Sequence, residues 1–268
     1  MNKQKSPYMD SNMARHYAKA SGPLQFQQPA RDLISFLKVA PGHAFLDIGS
    51  GSGLIATFAN GATGEAGFVV ALDSSIEMLK QQNKQVRRIV ANAQDLPFDA
   101  CTFERIAAGF VITHLPDYRK GLKDWKRVLR PGGVLGATVW EAGTTKISEI
   151  WKTVLKKYIN IGLVQEKFSR TIPSDEFFSI PGNLMAVFKE SGFVCVMEDV
   201  RTYLISMQIS QYIESKIGSV EGTIVRKHLA PEQWSRFVHE LTIMLQEQFP
   251  HGIQYPRNVH FVSGEKSI

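Results

Sequence analysis

FLDIGSGSG, from Phe45 to Gly53, is the stretch on which the reading of this chain turns. A short apolar run (Ala44, Phe45, Leu46) ends in an acid, Asp47. Glycines then alternate at Gly49, Gly51 and Gly53, and a second apolar segment runs from Leu54 to Ala59. A brief apolar run closed by glycines and followed by another reads as a buried strand, a sharp turn and the first turn of a helix. Glycine is the residue for a backbone that turns tightly or that lies against a ligand with no β-carbon between them. The helix start adds unpaired N–H groups and a partial positive charge. A ligand site is expected here.

Two ligand classes compete for it. Gly51-Ser52-Gly53-Leu54-Ile55-Ala56 fits the G-x-G-x-x-G/A fingerprint of dinucleotide folds, whose pyrophosphate sits on the helix N-terminus. The alternative spacing, Asp47-x-Gly49-x-Gly51-x-Gly53, sets an acid two residues before the first glycine. A carboxylate there suits a ligand carrying an ammonium group, such as the methionine part of S-adenosylmethionine, and would repel a pyrophosphate. The second reading is preferred.

Length and composition set the frame. The 268 residues suffice for one large domain, or for a domain with an added lobe. Hydrophobic residues make up 44% and charged residues 21%, as in an ordinary globular protein with a full core. No run of about eighteen apolar residues is present, so no membrane span is expected. The start, MNKQKSPYMDSNMAR, lacks the apolar centre of a secretion signal. Two cysteines, Cys101 and Cys195, make neither a disulfide framework nor a thiolate metal site. A cytoplasmic location is the expectation. The net charge of +6 gathers at Arg119, Lys120, Lys123, Lys126, Arg127 and Arg130, and at Lys152, Lys156 and Lys157. No aromatic-interleaved basic tract accompanies these residues, so solvated helix faces are expected and nucleic acid is not an expected partner.

The elements follow in turn. A tail to about Ser11 precedes a short helix over Asn12–Ala20, and Pro29 opens a second helix at the position that tolerates proline. After the Leu54–Ala59 helix comes a strand, Gly67–Leu72, ending at Asp73. Ser74 and Ser75 cap a helix with Met78 on its inner side. Arg87–Ala91 and Phe103–Phe110 read as strands. Tyr118–Leu129 reads as a helix stopped by Arg130-Pro131-Gly132-Gly133, and Val134–Val139 as a fifth strand. Alternating strands and helices imply a mostly parallel sheet covered on both faces. Beyond Glu141 helical spacing dominates: Lys146–Asn160, a helix from Pro181 to Ser191-Gly192, and a long helix from Pro231 with one apolar stripe. Val194–Ile205 and Arg257–Val262 read as strands.

In an open parallel sheet, ligands lie beyond the C-terminal strand ends, beside the point where strand order reverses. The first strand brings Asp47, Gly49, Ser50, Gly51 and Gly53 to that edge, and the second brings Asp73 and Ser74. The third brings Asn92 and Ala93, and the fourth Gly109 and Phe110. Asp73 stands roughly twenty residues past the last glycine, the offset at which an acid accepts hydrogen bonds from ribose hydroxyls. Asn92 and the Ala93 backbone would pair with an adenine edge, and Met78 would pack on its face.

On these residues the chain resembles the class I S-adenosylmethionine-dependent methyltransferases. Within them it is similar to the small-molecule group that includes the ubiquinone/menaquinone C-methyltransferases. The matching stretches are FLDIGSGSG (Phe45–Gly53), VVALD (Val69–Asp73), ANAQDLPF (Ala91–Phe98) and RVLRPGG (Arg127–Gly133), in the family's order. The resemblance implies a Rossmann-like, doubly wound α/β sheet of seven strands with the last antiparallel, helices capping the substrate, and S-adenosyl-L-methionine as cofactor. It divides the chain into a lid segment (1–28), a cofactor-binding core (29–141), a helical cap insertion (142–180) and a C-terminal part of the core carrying further cap helices (181–268). Two positions depart from the pattern: Asn92 stands where the family carries an acid, and Glu104 where it carries Asp.

Methyl transfer from a sulfonium is an in-line displacement whose leaving group needs no protonation. The protein has to hold acceptor and methyl collinear and exclude water. No metal-ligand spacing and no G-x-S-x-G elbow occur, so no metal is expected. His114, in GFVITHLPD just past the fourth strand, is the candidate base for an acceptor that must lose a proton. Tyr17, with His16, is expected to close over the cofactor and to touch the acceptor. Trp140 and Glu141, which end the fifth strand, and Trp151 are expected to border the acceptor along with His114. The bulky apolar residues Ile147, Phe177, Phe178, Leu184, Met207, Tyr212 and Trp234 point to a small, largely apolar acceptor, methylated on oxygen or carbon, in cofactor or specialised metabolism. The rival readings are an RNA methyltransferase, a non-catalytic cofactor-binding module of the same fold and, third, a dehydrogenase. Oligomeric state is left open.

Overall fold

A computed structural model describes residues 7–268. The core is a seven-stranded sheet of β1 (Ala44–Ile48), β2 (Phe68–Asp73), β3 (Arg87–Val90), β4 (Phe103–Gly109), β5 (Leu129–Trp140), β6 (Val194–Met207) and β7 (Ile253–Glu265), in the spatial order β3-β2-β1-β4-β5-β7-β6. The first five strands pair in parallel, and β7 runs antiparallel between β5 and β6. The alternating pattern predicts the parallel part of this sheet, and the family resemblance implies its seven strands with the last antiparallel. The order reverses between β1 and β4, which places the binding crevice above those two strands.

The helices are α1 (Ser11–His16), α2 (Gln27–Phe36), α3 (Leu54–Thr63), α4 (Ile76–Leu79), α5 (Tyr118–Val128), α6 (Lys146–Leu155), α7 (Ile161–Thr171), α8 (Asp175–Phe178), α9 (Asn183–Glu190), α10 (Ile209–Ile217), α11 (Val220–His228) and α12 (Pro231–Gln248). β1 is buried along its whole length because helices cover both faces of the sheet. On one face Leu33, Leu37, Ile55 and Ala59 pack on Phe45, Ala107 and Phe261. On the other, Trp125, Leu122 and Phe188 pack on Leu46, Ile106 and Leu135. A third apolar cluster belongs to the cap: Trp151, Val154, Phe237, Leu241 and Leu245 join α6 and α12, and Val164, Tyr212 and Val225 bring in α7, α10 and α11.

Several boundaries differ from the sequence reading, each for a physical reason. Pro29 is the third residue of α2, because a π-helical stretch (Tyr17–Phe26) runs directly between α1 and α2. The wider turn accommodates Pro23, which has no N–H to give an α-helical ladder. Of the expected N-terminal tail, residues 1–6 lie outside the described residues, whereas Pro7–Met9 form a 3-10 turn. Arg130–Gly133 does not end an element. It bulges within β5, whose pairing with β4 steps from Phe103↔Leu129 to Arg105↔Val134. The helix expected over Lys146–Asn160 stops at Leu155, and Asn160 instead caps α7 through its Oδ1, which accepts the Gly162 N–H at 2.8 Å.

Candidate functional site

The loop after β1 turns through three left-handed glycines, Gly49 (φ +65°), Gly51 (φ +53°) and Gly53 (φ +87°), the last of them capping α3. A β-carbon at Gly49 would lie 2.3 Å from Val111 Cγ2, and one at Gly53 would lie 2.8 Å from Gln82 Cγ. At Gly51 the nearest atom would be Tyr17 Cε1, at 3.9 Å. The loop is therefore tightly held from behind at two glycines and open at the third.

Polar side chains hold the loop in shape. Asp73, at the end of β2, accepts the Gly51 N–H on Oδ2 (2.9 Å) and the Ser75 N–H on Oδ1 (2.8 Å). Gln82 Nε2 donates to Ser50 Oγ (2.8 Å) and to the Gly51 carbonyl (2.7 Å). Burial raises the Asp73 carboxyl above its usual range, and the N–H donors from Ser75, Gly51 and Ser74 pull the other way. Asp47 is fully buried beneath the loop. Its Oδ2 accepts the Ala56 N–H at 2.9 Å, in the first turn of α3, while Oδ1 has no partner. Burial pushes the Asp47 carboxyl well up. Gln82 Oε1 is a second buried oxygen without a partner. Two orphaned acceptors beside an open glycine fit a ligand that brings N–H or ammonium donors.

The remaining strand ends converge on the same crevice, with different degrees of freedom. Ser75 rather than Ser74 caps α4, accepting the Met78 N–H, and Ser74 is exposed. Met78 is buried behind that turn. Asn92 Oδ1 accepts the Gln94 N–H at 2.9 Å, which closes a local turn. The Ala93 carbonyl takes the Trp125 indole N–H at 2.7 Å. Gly109 backs the site: a β-carbon there would meet Ile55 Cδ1 at 2.4 Å, so its glycine serves helix–sheet contact. Phe110 is left-handed without being glycine (φ +57°), and its ring stacks on Trp140 at 4.8 Å. Backbone strain of this kind gathers at functional sites.

The N-terminal segment lies across these strand ends. Tyr17 stands over Gly51, and Tyr8 meets Tyr17 edge-on at 5.6 Å and the His114 ring at 6.0 Å. The Tyr8 carbonyl accepts the Ser75 hydroxyl. Burial first, and Asp73 second, raise the Tyr8 phenol to about 12. Burial, then Tyr8, then Asp73 push Tyr17 higher still. Phe26 extends the cover, edge-on to Phe110 (4.9 Å) and Trp140 (5.7 Å), and Arg257 lies 3.8 Å above the Trp140 ring. His16 faces away from the crevice, 3.4 Å from Glu214. His114 ends a 3-10 turn (Ile112–His114), and burial lowers its imidazole to about 4.

One expected acceptor contact is overturned. Trp151 is 1% exposed and stands edge-on to Phe237 at 5.1 Å inside the cap's own core, where it cannot touch a ligand in the crevice. The other bulky residues expected to line the acceptor do not form one wall. Ile147, Met207 and Tyr212 belong to the cap core, Phe178 and Leu184 to the sheet core, and Phe177 is exposed. Sequence reasoning missed Tyr8, Phe26 and Gln82. Only Gln82 carried a usable signal: it falls three and four positions after Leu79 and Met78, on their inner side of the chain.

Residues 46–137 match the family model for the methyltransferase domain. Over these residues the chain is similar to the methyltransferase domain family. The chain is 34% identical over 133 residues to a demethylmenaquinone methyltransferase of Lysinibacillus sphaericus, covering 46% of this chain and 57% of that protein. It spans about half the length of the curated relatives it matches. Among solved structures it resembles a putative methyltransferase from an antibiotic biosynthesis pathway of Anabaena variabilis (TM-score 0.60, 15% identity, 87% of this chain and 96% of that one). It also resembles a phosphoethanolamine N-methyltransferase of Haemonchus contortus held with S-adenosylhomocysteine (TM-score 0.52, 19% identity, 90% of this chain and 53% of that one). At those identities the two structures speak for the fold alone.

Four of the six basic residues between Arg119 and Arg130 have local partners. Arg119 lies 3.8 Å from Glu190, Arg127 pairs with Asp124 (2.7 Å) and donates to the Phe98 carbonyl (2.7 Å), and Arg130 pairs with Glu104. Lys126 Nζ donates to the carbonyls of Ser191 and Gly192. Among the described residues no group of three His, Cys, Asp or Glu side chains is placed to hold a metal, and no helix is long and apolar enough to cross a membrane.

Proposed function

We propose that the chain is an S-adenosylmethionine-dependent methyltransferase acting on a small, largely apolar acceptor, with a quinol-like phenolic ring as the first class to test. The observation that carries the reading is the pairing of an open left-handed Gly51 with Asp73 at the reversal point of the sheet. Loop amides and the α3 N-terminus would receive the amino-acid moiety, Asp73 the ribose, and Asn92 with Ala93 the adenine side. When bound, the cofactor supplies an electrophilic methyl on a sulfonium.

The chain's own residues have a limited chemical task. Tyr8, Tyr17, Phe26, Phe110 and Trp140 exclude water and offer aromatic faces to a planar acceptor. A pKa near 4 keeps His114 unprotonated at neutral pH. It is thus ready to accept a proton, but its pull on that proton is weak. A phenolic acceptor already ionised near neutrality would need little from it. Arg127 and Arg130 are held by carboxylates and Lys126 by backbone carbonyls, which leaves fewer of these cations for phosphates and disfavours an RNA acceptor.

Incubation with isotopically labelled cofactor and a panel of demethylated quinols, catechols and small amines tests the proposal. Label on a phenolic or quinol compound supports it. Label only on amines, or only on RNA in a parallel reaction, overturns the acceptor class. No label on anything, with cofactor bound, favours a non-catalytic module of the same fold.

A further inference from the structure

The two edges of the sheet are built differently. β3 is four residues long and begins with Arg87 and Arg88, a short charged edge that resists further pairing. β6 is fourteen residues long and, among the described residues, has β7 as its only neighbour in the sheet. It carries four large exposed apolar side chains: Val194 (42% exposed), Met197 (51%), Val200 (47%) and Leu204 (65%). A long edge with apolar side chains and free backbone donors and acceptors is a template for another strand.

We propose that β6 pairs antiparallel with β6 of a second copy of this chain, across a two-fold axis at Val200, to give a continuous fourteen-stranded sheet in a homodimer. The charges on the strand select that occupant and that register. Arg201 Nε donates to Asp199 Oδ2 at 2.7 Å, and its guanidinium also lies 3.4 Å from Asp32. With the axis at Val200, Asp199 of each copy stands opposite Arg201 of the other, so two cross-strand ion pairs form on one face. Moving the axis to Asp199 or to Arg201 sets like charges directly opposite each other, which is destabilising in a sheet. The register at Val200 also uses nearly the whole strand, since Val194 falls opposite Ser206. On the other face the two Val200 side chains meet, and their exposed surface leaves water. A strand from an unrelated protein has no reason to repeat this self-complementary order, and a closed two-fold contact leaves only the short, charged β3 edges at the two ends.

Sedimentation or light scattering on the full chain tests this independently of any enzymatic reading. The expected result is a species of two chain masses at micromolar concentration. Val200→Lys, which buries a charge against its own copy at the axis, should raise the dissociation constant about tenfold or more with an unchanged circular dichroism spectrum. Asp199→Arg and Arg201→Asp variants should each be monomeric alone and should form a heterodimer when mixed, because one strand then carries only positive and the other only negative charge at these positions. If Arg201→Asp fails to fold through its loss of Asp32, the Val200→Lys result decides. A wild-type chain that stays monomeric at about 100 µM, or a dimer unmoved by Val200→Lys, overturns the proposal.

Discussion

The crevice above β1 and β4 and the core of the cap are both well packed, but by different forces. At the crevice, backbone amides, Asp73, Gln82 and Ser50 fix the chain through directed hydrogen bonds, and two buried oxygens still lack partners. In the cap, Trp151 and Phe237 meet edge to face, Leu241 and Val154 pack beside them, and Lys216 lies over the Trp151 ring at 4.6 Å. The first arrangement keeps unsatisfied polar groups, whose cost a ligand with hydrogen-bond donors would relieve. The second rests on apolar packing, and among the described residues its one buried polar side-chain atom without a partner is the Trp151 indole N–H. The contrast teaches that a buried aromatic residue or a single unpaired polar atom, such as the Trp151 N–H, marks packing, whereas unpaired oxygens beside a left-handed glycine loop mark a site.

Substitutions should separate the two regions. The largest effect on stability is expected in the cap. Phe237→Ala removes a fully buried ring that touches Trp151 and Tyr158, and should cost about 3–5 kcal/mol in chemical denaturation while leaving cofactor affinity within about twofold. If that substitution abolished cofactor binding in folded protein, the two regions would not be independent. Gly49→Ala comes next. It forces a side chain into left-handed backbone and against Val111, which should cost about 1–3 kcal/mol and weaken cofactor binding by more than tenfold. Gln82→Ala strips a donor from Ser50 and from the Gly51 carbonyl. The expected loss is roughly tenfold in cofactor affinity, about 1.4 kcal/mol, read by calorimetry. Gln82→Glu should not restore it, since a carboxylate has no N–H to offer the Gly51 carbonyl.

A separate test concerns pH. Burial lowers His114 from an ordinary 6.5 to about 4, so the unfolded chain takes up a proton there before the folded one does. Between those values the unfolded state binds more protons, and this residue's contribution makes stability fall as pH drops from about 6.5 to about 4, then level off. The raised Asp47 and Asp73 carboxyls act in the opposite sense. His114→Asn should therefore flatten only the His114 part of the slope, which a wild-type-minus-variant comparison of denaturation midpoints isolates. An unchanged slope would mean that the imidazole is solvated.

The same contrast explains how much the sequence disclosed. The glycine loop, Asp73 and the five parallel strands were legible because each is punctuated locally, by glycines, Ser75 at a cap, or an apolar run of strand length. The cap was read in part. Pro231 announced α12 as its first residue, but α10 and α11 are short helices whose faces are satisfied only by packing on other helices. Trp151 was misread for the same reason: helical spacing shows that a residue faces inward and not what it faces. The cover of the crevice was half seen. Tyr17 was expected, whereas Tyr8 and Phe26 join it through contacts with His114, Phe110 and Trp140 more than eighty residues away, which no local pattern encodes.

The central claim is that the crevice is built to hold S-adenosylmethionine with Asp73 as an anchoring acid. A calorimetric titration of wild type and Asp73→Ala with that cofactor tests it most directly. Saturable binding by wild type, weakened at least about tenfold in a folded Asp73→Ala variant, is the predicted outcome. Absence of binding by wild type, or affinity retained in full by Asp73→Ala, would contradict it.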